Sequence, residues 1–295
     1  MNRPDFIIVG SAKAGTTALF NYLKGHPDIF IPEIKECRFF SGMSRDYKGM
    51  GAEKFTNAGV RNLEEYRKLF AGVPENVKCG DLSTDYLYYY KTSVNNILKY
   101  IGEEAKIIIV LRDPARRAFS NYSHHVRDLT ENLSFADALN SEEQRIRDNW
   151  SWGYHYFKVG LYYEQVKYYL ENFRNVKIFL YEDFNNIDRI IEELLNFIGV
   201  DASFKVSSPQ MHNVSGAPKS MLLQKFLLKR SGLKNVIKLV IPSNFRRIVK
   251  KRLLKRNLSR NILKDKDYFK LRQKYKEDIH KLESLINRDL SNWYS

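Results

Sequence analysis

The chain has 295 residues, 43% of them apolar and 14% aromatic, and a net charge of +15. That is enough apolar matter for one large α/β domain or two small ones, and no apolar run approaches the ~20 residues needed to span a bilayer. Two cysteines, Cys37 and Cys79, could pair but nothing in the sequence requires it, whereas a secreted protein of this size is more often stapled; no charged-then-apolar leader precedes the first strand. The expected setting is reducing and cytoplasmic.

The first element is the short apolar run Asp5 to Gly10, followed by helical spacing from Thr16 to Lys24. A glycine-rich patch from Gly49 to Gly59 reads as a loop. Lys106 to Leu111 is a second apolar run, with helical spacing from Pro114 to Arg127; Val176 to Tyr181 is a third, with helical spacing from Ile187 to Ile198. Continuous β-branched runs without alternation suit strands buried on both faces. Strand, turn and helix repeated in this way predict a doubly wound α/β domain with a central parallel sheet flanked by helices. From about Pro218 the pattern reads as helices only: Ser220 to Leu228, Arg246 to Leu254 and Tyr268 to Leu290. A single domain over 1–295 is expected, with its core in 1–217 and a basic helical C-terminal portion in 218–295.

The charge is uneven. Between Asp201 and Asp265 there are sixteen Lys and Arg and no acidic residue, so the rest of the chain is close to neutral. Such a block has three uses: a solvated face, a grip on an anionic glycan, or peripheral contact with an anionic inner membrane surface. No nucleic-acid reading motif accompanies it, so nucleic acid is not an expected partner. Oligomeric state is not legible.

Ser11-Ala12-Lys13-Ala14-Gly15-Thr16-Thr17 follows the first strand and opens a helix. Glycine allows the tight turn that aims several N–H groups at one anion, and the helix N-terminus adds about half a positive charge. Thr16 and Thr17 offer hydroxyls and Lys13 a full charge. A nucleotide-triphosphatase loop would instead place its lysine after the second glycine, with a hydroxyl for Mg²⁺. Here the lysine lies inside the loop, where it can reach a bridging phosphate oxygen without a metal. Arg112-Asp-Pro-Ala-Arg-Arg-Ala-Phe-Ser120 repeats the strand-to-helix geometry. Its guanidinium can form two parallel bonds to a phosphate, with Ser120 about two turns into the helix. Two separate phosphate sites fit the 5′ and 3′ phosphates of one nucleotide, as in 3′-phosphoadenosine-5′-phosphosulfate (PAPS).

These segments resemble the PAPS-dependent sulfotransferase family. Ser11 to Ala18 is similar to its 5′-phosphosulfate loop and Arg112 to Ser120 to its 3′-phosphate motif. Ile34-Lys35-Glu36-Cys-Arg38-Phe-Phe40 and Gly80 to Leu87 resemble segments of the heparan-sulfate-type branch. Tyr181-Glu-Asp183, Phe197 to Val200 and Arg288 to Trp293 match further landmarks. The resemblance implies a P-loop-like sulfotransferase fold and transfer of a sulfuryl group to a hydroxyl or amine of a glycan or glycolipid acceptor. It implies Glu36 as base, Lys13 at the leaving oxygen, and Lys35 against charge developing at sulfur. Arg38, Ser83, Tyr86 and His124 are candidate acceptor contacts, with His124 or His125 as an alternative base. Ser215, Gly216 and Lys219 stand where that branch carries a cofactor-contacting pair, although the disulfide-bounded loop of the branch has no counterpart here. No metal is implied. The loops Ser41 to Gly59 and Asn149 to Gly160, with Trp150, Trp152, Tyr154 and Tyr156, offer ring faces to a sugar. Two other functions remain: a P-loop kinase or NTPase, and a non-enzymatic basic membrane- or glycan-binding module.

Overall fold

A computed structural model describes residues 3–42, 46–204, 216–228, 243–260 and 263–295. Five parallel strands form the central sheet: β1 (Phe6–Gly10), β2 (Ile29–Phe30), β3 (Lys78–Leu82), β4 (Lys106–Leu111) and β5 (Val176–Leu180), in the order β2-β3-β1-β4-β5. β1 is therefore central, with Phe6 opposite both Gly80 and Lys106.

Successive side chains of a strand point to opposite faces, and both faces of this sheet are covered. Ile7, Val9, Ile107, Ile109 and Leu111 join the larger core cluster with residues of the helices Tyr90–Tyr100, Pro114–Arg127, Tyr162–Asn172 and Asp265–Ile286. Phe6, Ile8, Ile108 and Val110 face the other way, toward the helices Thr16–Leu23 and Ile187–Ile198. Each large apolar side chain fully buried in this way contributes about 1.5–3 kcal/mol, and the double cover explains why β1 and β4 read as unbroken apolar runs.

The three strands and their following helices fall where the sequence places them. Two strands were not expected. β3 carries Gly80 and Asp81, both poor strand formers; a Cβ on Gly80 would come within 2.3 Å of the Phe6 ring. The 49–59 patch holds a short helix, Glu53–Thr56, besides its turns. Beyond Pro218 the chain is not purely helical: Gly216–Pro218 pairs antiparallel with Leu258–Arg260. Between them run the helices Met221–Leu228 and Ser243–Arg256.

The chain leaves β1 toward β2 and β3, and leaves β4 toward β5 on the other side. The crevice beyond the carboxyl ends of β1 and β4 is thus the switch point of the sheet, the usual ligand position in such folds.

Candidate active site

The loop after β1 sets the first wall of that crevice. Ser11 is buried and its N–H donates to the Val110 carbonyl at 2.6 Å, tying the loop to β4. Lys13 and Gly15 turn it through the left-handed region, at φ 72° and 95°. A Cβ on Gly15 would meet the Tyr181 ring only at ordinary contact distance, 3.5 Å, so the left-handed φ rather than space calls for glycine there. No side chain caps the helix Thr16–Leu23 and no acid lies in its first turn, so its amide donors and dipole are left facing the crevice.

The second wall follows β4. Asp113 caps the helix Pro114–Arg127, accepting from the N–H groups of Ala115 at 2.9 Å and Arg116 at 3.2 Å. That fixes Arg112 at the mouth. Its Nη1 donates to the Lys13 carbonyl oxygen at 3.0 Å, its guanidinium lies 4.5 Å from the centroid of the Tyr181 ring, and its Nε is buried without a partner. Arg116 instead bonds Tyr268 and Asp113, and Arg117 is buried against the Tyr156 carbonyl at 2.5 Å. One of the three arginines of this motif faces the crevice.

A cavity of about 370 Å³ lies between these walls, lined by Ala12, Lys13, Gly15, Thr16, Thr17, Arg112 and Ser120, with Lys35, Glu36, Thr84 and His124 at one end. Tyr181 and Phe184, from the turn after β5, close it. Their role was not legible beforehand, although the carboxyl end of a third strand is where such residues would be sought. An orphaned guanidinium nitrogen, a buried lysine and uncapped helix amides are what a bisphosphorylated nucleotide would satisfy, so the residues fit that group.

Glu36 sits at φ 68°, and its carboxylate accepts from the Thr84 N–H at 2.8 Å and the Thr84 hydroxyl at 3.0–3.1 Å. Lys35 Nζ is 3.6 Å from it and donates to the Thr17 hydroxyl at 2.8 Å. Burial, then the charges of Arg127, Arg112 and Lys35, lower the Lys13 pKa to about 8. Burial, then Lys13, lowers that of His124 to about 3, so its imidazole is neutral near pH 7. Three of the left-handed non-glycine residues, Lys13, Glu36 and Arg38, belong to this one site; such conformations typically persist where surrounding structure enforces them.

A second cavity, about 260 Å³, shares Lys13, Glu36, Thr84 and His124 with the first and extends to Arg38, Lys54, Phe55, Asp128 and Trp152. Arg38 has Nε and Nη1 buried without partners and lies over the Phe55 ring at 5.4 Å. Lys54 and Phe55 fall in the 41–59 loop and Thr84 in the 80–87 segment that the sequence singles out, but none of them, nor Asp128, is individually marked there as a site residue.

Other candidate residues lie beneath or beside these cavities. Ser83 and Tyr86 are buried beneath the site. The Ser83 hydroxyl donates to Asp81 at 3.1 Å and accepts from the Arg38 N–H at 3.0 Å; the Tyr86 hydroxyl donates to Asp81 at 2.9 Å and accepts from the Phe39 N–H at 3.0 Å. Tyr156 is buried with its hydroxyl on Glu131 and presents no open ring face; Tyr154 is buried at the wall of the second cavity. His125 is held at both ring nitrogens, by Thr130 and the Gly153 carbonyl. Burial pushes the Cys37 thiol up, and both cysteines are free. Gly216 lies in the antiparallel pair and Lys219 is exposed, its N–H on the Asn257 carbonyl; neither lines the cavity. Ser215 lies outside the described residues. Two landmark segments meet: Arg288 pairs with Asp183 at 2.7 Å and the Trp293 indole N–H donates to Glu182 at 3.0 Å.

Residues 3–220 match the model of the sulfotransferase domain. A crystal structure of a sulfotransferase from Alicyclobacillus acidocaldarius is 33% identical with a TM-score of 0.78, covering 100% of both chains. The membrane-associated sulfotransferase kil1 of Dictyostelium discoideum is 30% identical over 44% of this chain and 25% of its own length. The heparan sulfate glucosamine 3-O-sulfotransferase 3B1 of Mus musculus is 26% identical over 58% of this chain and 38% of its own length. The chain thus spans well under half the length of these two curated relatives. A full-length structural match, together with a domain match that takes in both strand-to-helix loops, shows that this chain belongs to the sulfotransferase domain family.

Proposed function

We propose that the chain moves a sulfuryl group from PAPS to a hydroxyl or amine of an acceptor, releasing adenosine 3′,5′-bisphosphate. The observation that carries this reading is the 3.0 Å bond from Arg112 to the Lys13 carbonyl: two anion cradles, about a hundred residues apart in sequence, share one cavity. PAPS supplies the sulfuryl group already joined to a good leaving phosphate.

The residues of the chain divide the rest. Ser11 to Thr17 hold the 5′ side through backbone amides and hydroxyls; Arg112 and Ser120 hold the 3′ phosphate. Lys13 meets negative charge as it grows on the departing oxygen, an interaction typically worth about 10²–10³ in rate. Glu36, oriented by both donors of Thr84, takes the acceptor proton, worth about 10²–10⁴. Lys35, held by Thr17, neutralises charge at the transferring group. Arg38 and His124 face the acceptor in the second cavity, while Ser83 and Tyr86 position the Glu36 loop from below. His124, its Nδ1 engaged by Arg127 Nη2 at 2.5 Å, serves as a hydrogen-bonding contact, and Glu36 is the base.

The acceptor we infer is carbohydrate-like or lipid-linked. The mouse relative's name specifies a glucosamine of heparan sulfate, which supports a sugar hydroxyl, and kil1's name supports peripheral membrane contact. The absent Gly-Lys-Ser/Thr sequence speaks against Mg²⁺-dependent ATP turnover. The test is transfer of labelled sulfate from PAPS across a glycan and glycolipid panel, with Glu36→Gln as control, beside thermal shifts with the bisphosphate and with ATP plus Mg²⁺. A flat response to the bisphosphate would overturn the reading.

A further inference from the structure

Thirteen large apolar side chains are exposed among the described residues, and eight of them fall in the two helices Met221–Leu228 and Ser243–Arg256. Leu222 is 81% exposed, Ile248 63% and Phe245 58%. Isolated exposed leucines need no explanation, but a cluster of this kind marks an interaction surface. On the second helix Phe245, Ile248, Val249 and Leu253 follow the spacing of one helical face, with exposed Arg252 and Arg256 lying between them on that side. Lys225, Lys250 and Lys255 are exposed as well.

The composition selects the occupant. No acidic residue occurs from 202 to 264, so two copies of this face would oppose cation to cation. A lipid headgroup layer accepts both components: apolar side chains enter the acyl boundary while arginine and lysine reach back to phosphate. We propose that these two helices are a docking face for an anionic phospholipid surface. This deepens the peripheral contact inferred above.

The face is fastened to the site. Gln224, buried, donates to the Arg127 carbonyl at 2.8 Å and accepts from Asn257 Nδ2 at 3.0 Å, and Asn257 also bonds Ser220 at both ends of its amide. Arg127 ends the helix that carries Ser120 and His124, and it lies beside Asp128 at the wall of the second cavity. Docking would therefore hold that cavity near the interface, where a lipid-linked acceptor is found.

The experiment is vesicle flotation of the full chain with phosphatidylcholine alone and with phosphatidylcholine mixed with phosphatidylglycerol. Binding is expected only to the anionic vesicles, at about 0.1 M salt, and to fade at about 1 M, where the screening length shrinks to about 3 Å. Lys250→Gln and Lys255→Gln should each weaken binding about fivefold. Leu222→Asp with Ile248→Asp should weaken it at least about tenfold. The thermal shift with adenosine 3′,5′-bisphosphate should be unchanged in every variant, which confirms folding and separates this proposal from the donor reading. Equal binding to neutral vesicles, no binding, or undiminished binding by the Asp variant overturns it. So does a dimer in light scattering that Ile248→Asp dissolves, which would assign the face to self-association.

Discussion

Tyr86→Phe tests whether the layer under the site positions the proposed base. The Tyr86 hydroxyl makes two bonds, donating to Asp81 and accepting from the Phe39 N–H, so its removal strands a buried amide three residues from Glu36. Asp81 is fully buried, and burial raises its pKa to about 6 although Tyr66, Tyr86 and Ser83 donate to it and pull it back. Above pH 6 the lost bond is therefore to a carboxylate, worth about 1.5–3 kcal/mol, and the orphaned Phe39 amide adds about 1. The sum, about 3 kcal/mol, corresponds to a Tm lower by about 5 °C for a chain of this length. Near pH 5 Asp81 is protonated in the fold, its bond to Tyr86 becomes a neutral one, and the deficit should shrink to about 2 kcal/mol. In the transfer assay kcat should fall about tenfold, with the acceptor KM unchanged. A raised acceptor KM with unaltered stability would refute the argument and make Tyr86 a direct contact.

Three more outcomes follow from the site. With the Lys13 pKa near 8, affinity for the bisphosphate should fall as pH rises through 8 and the lysine discharges; titration calorimetry in buffers of different ionisation enthalpy should detect proton uptake on binding there. Arg112→Ala should weaken bisphosphate binding about 10–100-fold, and Arg112→Lys should restore it only partly because an ammonium lacks the paired donors; a competition assay measures both. Trp293→Ala should lower stability by about 3–5 kcal/mol in chemical denaturation, since the ring is buried and its N–H holds Glu182.

What could be read in the sequence follows from what each segment buries. β1 and β4 are inner strands covered on both faces, so nearly every position is apolar and the runs stand out. β3 is just as central, yet it gives Gly80 to the passage of Phe6 and Asp81 to the support of the Glu36 loop, and these residues erase the pattern that would announce a strand. The two loops proposed as cradles were legible because a tight strand-to-helix turn requires glycine or proline and a helix start at fixed spacing. Tyr181, Phe184, Lys54 and Asp128 carry no such spacing; Tyr181 and Phe184 reach the first cavity because β5 ends beside β4, Lys54 reaches the second from the 49–59 segment, and Asp128 does so from the end of the helix Pro114–Arg127. The residues Ser83 and Tyr86 were visible as a motif, but a motif does not say whether a hydroxyl faces ligand or core. Gly216 and Lys219 depended on a resemblance whose disulfide-bounded loop this chain lacks.

The first cradle hangs from β1 and the second from β4, and both strands are interior to the sheet with a neighbour on each side. Fraying at either margin leaves the two anion clamps in register, whereas parting β1 from β4 dismantles the domain. Occupancy of the proposed nucleotide site should therefore be coupled to opening of the centre of the sheet. Saturating bisphosphate should slow amide exchange most in β1 and β4, and donor supply in the cell would govern how long the folded chain survives proteolysis.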